Sequence, residues 1–91
     1  MSQSIRLYTT AGCHLCEMAE SMVLYLLQNE DQFIDKFVLQ PVEIASDDAL
    51  FERFGVRIPV LEVNRAELSW PFELEDLFSW LNDKIDVKQE R

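Results

Sequence analysis

The chain has 91 residues, so we expect a single domain over residues 1–91. Eight Lys and Arg residues against seventeen Asp and Glu residues give a net charge of −9. Such a surface repels phosphate, which argues against nucleic acids and anionic membranes as partners. No run approaches the roughly 20 apolar residues that span a bilayer, and the N-terminus lacks a signal-peptide pattern. We therefore expect a cytoplasmic protein, and by default a monomer.

The first half of the chain predicts a strand, a helix and a second strand. Residues 5–9 alternate apolar and polar side chains, as half-buried strands do. Residues 13–28 predict a helix because apolar side chains recur at helical spacing. That predicted apolar face comprises Leu15, Met18, Ala19, Met22, Val23 and Leu26. Residues 37–44 predict the second strand, and Pro41, which has no N–H to donate, places it at a sheet edge.

The second half predicts a short helix, a hairpin and a last helix. Ser46-Asp47-Asp48 is a helix start, and Gly55 is its expected C-terminal cap. Residues 60–63 and 66–70 predict two strands joined by a turn. The last helix follows Pro71, and its predicted apolar face comprises Leu74, Leu77, Phe78, Leu81 and Ile85. A strand–helix–strand unit followed by a hairpin gives a mixed four-stranded sheet with helices on its faces.

The segment Cys13-His14-Leu15-Cys16 contains both cysteines and the one histidine of the chain. It follows the first strand and opens the first long helix, where unpaired backbone N–H groups favour a thiolate at Cys13. Cys16 lies one turn later, within bridging reach of Cys13. A Cys-x-x-Cys pair beside such a pattern in a cytosolic protein indicates thiol–disulfide chemistry. Cys13 would attack a disulfide, and Cys16 would resolve the product.

Two other interpretations of the cysteines stay open. The thiols could be small apolar groups near the core, which suits Cys16 better than Cys13, since Leu15 begins the predicted apolar face. A metal site is the other alternative, but zinc usually takes four ligands, and only Cys13, Cys16 and His14 are adjacent. We therefore predict no metal site within one chain, and a metal or cluster shared between two chains is the weaker alternative.

His14 and Glu17 are candidate modulators of the Cys13 thiol. A cationic imidazole beside Cys13 would lower the pKa of the thiol, although His14 could equally be an exposed first-turn residue. Glu17 lies four residues after Cys13 on the same helix face, where its charge would disfavour the thiolate. The two effects oppose each other.

These residues together resemble a known family. The Cys-x-x-Cys pair at a helix start, the Ile58-Pro59 step before a strand and the order of elements are similar to those of glutaredoxins and the wider thioredoxin superfamily. Small glutaredoxin-like proteins of bacteria are the most similar. The resemblance spans residues 5–85. It implies an α/β, thioredoxin-like fold, with a four-stranded mixed sheet and three helices on its faces.

The resemblance also assigns roles. It implies that Cys13 is the catalytic nucleophile and Cys16 the resolving thiol. Pro59 would be cis and lie beside the disulfide, whereas base rates alone favour a trans bond. The backbone of Ile58 would pair with an extended substrate. Arg57 is the candidate partner for a substrate carboxylate.

Three departures from glutaredoxins bear on glutathione. Residues 9–12 contain no basic residue before the first cysteine, and His14-Leu15 replaces the usual Pro-Tyr. Residues 70–72 replace the Gly-Gly turn and acidic residue that hold glutathione. We therefore expect no bound cofactor and keep glutathione as an alternative ligand only. Trp70 and Phe72 are expected in the core, with an apolar groove as the alternative.

We thus expect a disulfide oxidoreductase that reduces or exchanges disulfides of proteins or small thiols. It would receive electrons from a cellular reductant whose identity the sequence does not indicate. The alternatives are a thioredoxin-fold binding module without turnover and, less favoured, a metal-binding or Fe–S-binding protein.

Overall fold

The chain folds into four strands and three helices in the predicted order. The computed structural model describes the backbone of residues 2–90 and the side chains of residues 2–85. The elements are β1 (Gln3–Thr9), α1 (His14–Asn29), β2 (Phe37–Glu43), α2 (Asp48–Phe54), β3 (Val60–Val63), β4 (Ala66–Ser69) and α3 (Leu74–Glu90). A 3₁₀ turn at Asp31–Phe33, which was not predicted, joins α1 to β2.

The four strands form one mixed sheet in the order β2-β1-β3-β4. β1 is parallel to β2, β3 is antiparallel to β1, and β4 is antiparallel to β3. The predicted mixed sheet is therefore confirmed. Pro41 lies in β2, which is an edge strand as predicted, and so its missing N–H leaves no gap inside the sheet.

The larger part of the core lies between the sheet and the helices α1 and α3. It contains Ile5, Leu7, Ala19, Val23, Leu26, Leu61, Val63, Phe72, Leu77 and Leu81, together with Phe33 and Phe37. Phe33 comes from the 3₁₀ turn, is fully buried and contacts Phe37 edge to face, with ring centroids 5.9 Å apart. Burial of such a ring stabilises the folded state by about 1.5–3 kcal/mol. This burial favours the turn that places Phe33 in the core.

Among the described elements, α2 covers the opposite face of the sheet. Its core consists of Tyr8, Ile44, Phe54 and Val60, and the Phe54 ring stacks on Tyr8 at a centroid distance of 4.1 Å. Ser4 and Arg6 lie on the same face by strand alternation, yet both are exposed. The seven residues of α2 therefore cover only the end of this face where β1 finishes.

The predicted apolar face of α1 is partly wrong. The buried residues of this helix are Cys16, Ala19, Val23 and Leu26, whereas Leu15 and Met18 are each 43% exposed. Apolar residues occupy a wider arc of the helix than the sheet can cover, and periodicity does not say which part of that arc faces inward. The buried face thus begins at Cys16 and not at Leu15.

The last helix and the aromatic segment before it largely follow the prediction. Leu77 and Leu81 are fully buried, while Leu74 is 38% exposed, so the face of α3 starts one turn later than expected. Phe72 is buried, and Trp70 packs against the core with its ring centroid 5.0 Å from that of Phe72. Phe72 is a core residue, as predicted, and Trp70 is partly buried at the edge of the core.

Within residues 2–90, no helix combines the length and apolar character needed to cross a lipid bilayer.

Candidate functional site

Cys13 and Cys16 lie at the start of α1, on the side of the sheet where β1 ends. Cys13 is the N-cap, with extended backbone dihedrals, and its Sγ accepts the backbone N–H of Cys16 at 3.1 Å. The two sulfurs are joined in a disulfide across a Cα–Cα distance of 5.2 Å. Cys13 is half-buried, whereas Cys16 is only 2% exposed. Cys13 is therefore the more accessible residue of the pair.

A backbone hydrogen bond within the loop before Cys13 holds that loop in a turn. The N–H of Cys13 donates to the Thr10 carbonyl at 3.2 Å, which closes a tight turn. Gly12 has a φ of 81°, in the left-handed region that glycine enters without steric cost. A side chain at this position would strain the turn that brings Cys13 to the helix start.

Glu43, a residue that the sequence analysis did not identify, fastens this loop to the sheet. It pairs with Thr9 in the β1–β2 register and therefore lies where the loop begins. Its Oε1 accepts the N–H of Ala11 at 3.1 Å, and its Oε2 accepts the N–H of Ala45 at 2.9 Å. The hydrogen bonds from Ala45 and from the Thr10 side chain are the main reasons why the pKa of Glu43 lies below its usual value. Glu43 is separated from Ala11 by 32 residues, so only the strand register reveals the contact.

Glu43→Gln is expected to lower the free energy of unfolding in a pH-dependent way. The amide keeps one acceptor but turns a donor towards a backbone N–H. Because the pKa of Glu43 is lowered on folding, its stabilising effect is present above the pKa of the unfolded chain and is lost as the pH falls through the folded pKa. Denaturant unfolding at pH 7 and at about pH 3 measures this free energy for both proteins. The variant should fall further below wild type at pH 7 than at the acidic pH.

Glu52→Gln is the matched control for Glu43→Gln. Glu52 is an exposed glutamate in α2 with no side-chain hydrogen bond to another described residue. Its replacement should leave the stability nearly unchanged at both pH values. An equal loss of stability in the two variants, or a Glu43→Gln effect that grows on acidification, would contradict the assigned contacts.

His14 and Glu17 are both placed in the first turn of α1, near Cys13. Their side chains are 83% and 73% exposed, and His14 Nδ1 lies 3.9 Å from Glu17 Oε1. Water and salt screen charges in such exposed positions, and the two groups face each other. Their influence on the thiol stays a prediction. Among the described residues, no three His, Cys, Asp or Glu side chains converge to hold a metal ion.

Pro59 lies at the same end of the sheet as the cysteine loop. The Ile58–Pro59 peptide bond is cis, as the resemblance implied, and Pro59 is fully buried. The next residue, Val60, opposes Tyr8 in β1 shortly before the chain turns towards Cys13. The carbonyl of Pro59 accepts the N–H of Trp70 at 3.1 Å, so the hairpin pairing continues to this residue. The Trp70–Pro71 bond is also cis, which the sequence analysis did not anticipate.

The backbone N–H of Ile58 already has a partner within this chain. Its N–H donates to the carbonyl of Phe54 at 3.0 Å, and the N–H of Arg57 donates to the same oxygen at 2.8 Å. The end of α2 therefore already uses the Ile58 donor. Any strand-like pairing at Ile58 would begin through its carbonyl, and its role with substrate stays a prediction.

Arg57 is engaged by a carboxylate of this chain. Its Nη2 donates to Glu67 Oε1 at 2.7 Å and to Ser69 Oγ at 3.2 Å, while Arg53 Nη2 donates to Glu67 Oε2, also at 2.7 Å. The Arg57 hydrogen bond is the main reason why the pKa of Glu67 is lowered. A carboxylate ligand at Arg57 would have to share this side chain with Glu67.

The sheet order, the helices on both faces and a Cys-x-x-Cys pair opening α1 define a protein of the thioredoxin-fold class. Thioredoxin 1 from Thermosipho africanus TCF52B matches with a TM-score of 0.65, covering 96% of this chain and 99% of that one. The identity is 9%, so this likeness concerns the fold alone. The germline-specific thioredoxin Deadhead from Drosophila melanogaster matches with a TM-score of 0.59 and 21% identity, covering 90% of this chain and 80% of that one.

Within that class, the chain belongs to the family described as Glutaredoxin-like domain (DUF836), whose sequence profile matches residues 4–82. The X-ray structure of the target protein XcR50 from X. campestris is 32% identical and has a TM-score of 0.71. The match covers 87% of this chain and 96% of XcR50. No curated protein matches this chain significantly.

Proposed function

We propose that this protein is a thiol–disulfide oxidoreductase in which Cys13 is the nucleophile and Cys16 the resolving thiol. The observation that carries the proposal is the position of the Cys13 sulfur, which caps α1 and accepts the Cys16 N–H, on a residue that is only half-buried. A hydrogen-bond donor and the positive end of a helix dipole both stabilise a thiolate over a thiol. Cys16 is buried, so a substrate disulfide meets Cys13 first.

The reaction proceeds in two exchange steps. The Cys13 thiolate attacks one sulfur of the substrate disulfide and forms a mixed disulfide, and the other substrate sulfur leaves as a thiolate that takes up a proton. Cys16 then loses its proton and attacks the Cys13 sulfur. This second step releases the remaining substrate thiol and forms the Cys13–Cys16 disulfide. The substrate gains two electrons and the protein loses two, so a dithiol or two monothiols must restore the reduced form.

Protein disulfides are the substrate class that the surface favours. Leu15 and Met18 expose apolar side chains beside the cysteines, where an extended peptide could bury them. Glu67 occupies Arg57, which disfavours glutathione as the ligand. We further propose that the protein acts in a bacterial cytoplasm without a bound cofactor, where cellular reductants would keep the pair mainly reduced.

The pH dependence of alkylation tests the nucleophile directly. In the reduced protein, Cys13 should react with iodoacetamide with an apparent pKa below that of a free cysteine thiol. Cys16 should react far more slowly because it is 2% exposed. Mass spectrometry of peptides after timed reaction over about pH 5–9 measures both rates. The Cys13→Ser variant gives the Cys16 rate alone, and a Cys13 pKa at or above that of free cysteine would refute an activated nucleophile.

A further inference from the structure

A polar pocket lies at the end of the sheet opposite to the cysteines. Its volume is about 430 Å³. Cys13 follows the end of β1, whereas this pocket is built around the start of β1 and the turn between β3 and β4. The residues that line it include Ser2, Ser4, Arg6, Glu62, Asn64 and Arg65. The proposed redox chemistry uses none of them.

The pocket is open because α2 is short. Ser4, Arg6 and Tyr8 point to the same side of the sheet, and α2 packs only over Tyr8. Ser4 and Arg6 are therefore exposed to solvent, and both line the pocket beside the β3–β4 turn.

The pocket gathers positive charge in a strongly acidic chain. Arg53 and Arg57 each donate a hydrogen bond of 2.7 Å to Glu67, so part of their donor capacity is already used within the chain. Arg6 is 57% exposed, with Nη1 3.8 Å from Glu62 Oε1. The same Glu62 oxygen accepts the Tyr8 hydroxyl at 2.5 Å. Burial and this hydrogen bond raise the pKa of Tyr8, which keeps the phenol protonated as the donor. Arg65 has no ion pair within the described side chains, so the pocket lining contains two guanidinium groups and one carboxylate.

The backbone at Arg65 gives a second and independent observation. Asn64 and Arg65 form a two-residue hairpin loop with φ values of 50° and 73°. Loops of this kind favour Asn-Gly because both positions are left-handed. Asn64 fits this preference, and its Nδ2 donates to Gln3 Oε1 at 2.7 Å, which ties the turn to β1. Arg65 occupies the second position of this loop, where glycine would adopt the left-handed backbone at lower cost. The turn places Arg65 among the residues that line the pocket, together with Arg6.

We propose that this pocket binds a small molecule through a carboxylate or phosphate group held between Arg6 and Arg65. Guanidinium groups present paired N–H donors that match the oxygens of such anions. The Ser2 and Ser4 hydroxyls and the Asn64 amide line the rest of the pocket and suit a polar ligand body. This binding does not depend on the cysteines.

The test is an ¹⁵N NMR titration of the full chain with inorganic phosphate and, separately, with acetate, at low ionic strength. Sodium chloride at matched ionic strength is the blank, because salt screens surface charges. At least one anion should give saturable shifts confined to residues 2–6 and 62–65 by about 50 mM. The two titrations also distinguish a phosphate site from a carboxylate site.

Arg65→Gly separates binding from folding. Glycine accepts the left-handed backbone, so the variant should melt at or above the wild-type temperature, while its affinity falls by at least about tenfold. Arg6→Gln should weaken binding similarly. Lys84→Ala removes one positive charge from α3, outside the pocket, and should keep the affinity within about twofold. Absent or non-saturating shifts with both anions, or wild-type affinity in Arg65→Gly, would overturn the proposal.

Discussion

Cys13→Ser is expected to reduce disulfide-reductase activity by at least about a thousandfold, because a serine hydroxyl is almost entirely protonated near neutral pH and cannot attack a disulfide as a thiolate does. The fold should survive the change. Cys13 is the N-cap of α1, and serine is among the preferred N-cap residues. The loss of activity would then report chemistry and not unfolding.

Insulin reduction measured with glutathione and, separately, with thioredoxin reductase as electron supplies provides the readout, after subtraction of the rate without this protein. Circular dichroism and the unfolding midpoint of Cys13→Ser should match those of the reduced wild-type protein. Activity that survives in Cys13→Ser would refute the nucleophile assignment. Wild-type protein as inactive as the variant with both electron supplies would instead favour a binding module that has the fold without turnover.

Cys16→Ser is expected to convert the protein into a trap for its substrates. The Cys13 thiolate still forms the mixed disulfide, but no second thiol lies within one helical turn to release it. Covalent adducts of Cys13 should therefore persist in the variant and decay rapidly in the wild-type protein. Intact-mass measurement after mixing with a disulfide-containing peptide follows the adduct, and the trapped lifetime should rise by at least about a hundredfold.

The double variant Cys13→Ser with Cys16→Ser is the control for trapping, since it has no thiol left to form a mixed disulfide. Because Cys16 is buried at the sheet-facing side of α1, the stability of Cys16→Ser should also be measured. A folded Cys16→Ser protein that forms no adduct, or releases it as fast as wild type, would refute the dithiol mechanism. The predicted role of Cys16 is thus tested apart from that of Cys13.

Much of the fold was predictable because its signals are local. The element order, the edge position of β2 and the start of α1 at the cysteines follow from periodicity, Pro41 and capping residues. Asp47 caps α2 by accepting the N–H of Leu50, and Gly55 follows as its C-cap, as expected. The single domain over residues 1–91, the monomeric state and the lack of a cofactor stay predictions.

The predictions were wrong where a local sequence pattern is compatible with more than one structure. Periodicity identified an apolar arc on α1 but assigned Leu15 and Met18 to the buried side, because spacing alone does not show where the sheet lies. The 3₁₀ turn was missed because three residues are too few to show a period.

The sequence by itself determined that Cys13 and Cys16 meet, since two thiols three residues apart at a helix start are brought within bonding reach by one helical turn. Only the tertiary structure decided what surrounds them. Glu43 accepts a hydrogen bond from the cysteine loop 32 residues away, Glu67 accepts one from Arg57, and Arg65 lines the same pocket as Arg6. These contacts depend on strand register and on the packing of α2, which are long-range properties that no local pattern encodes.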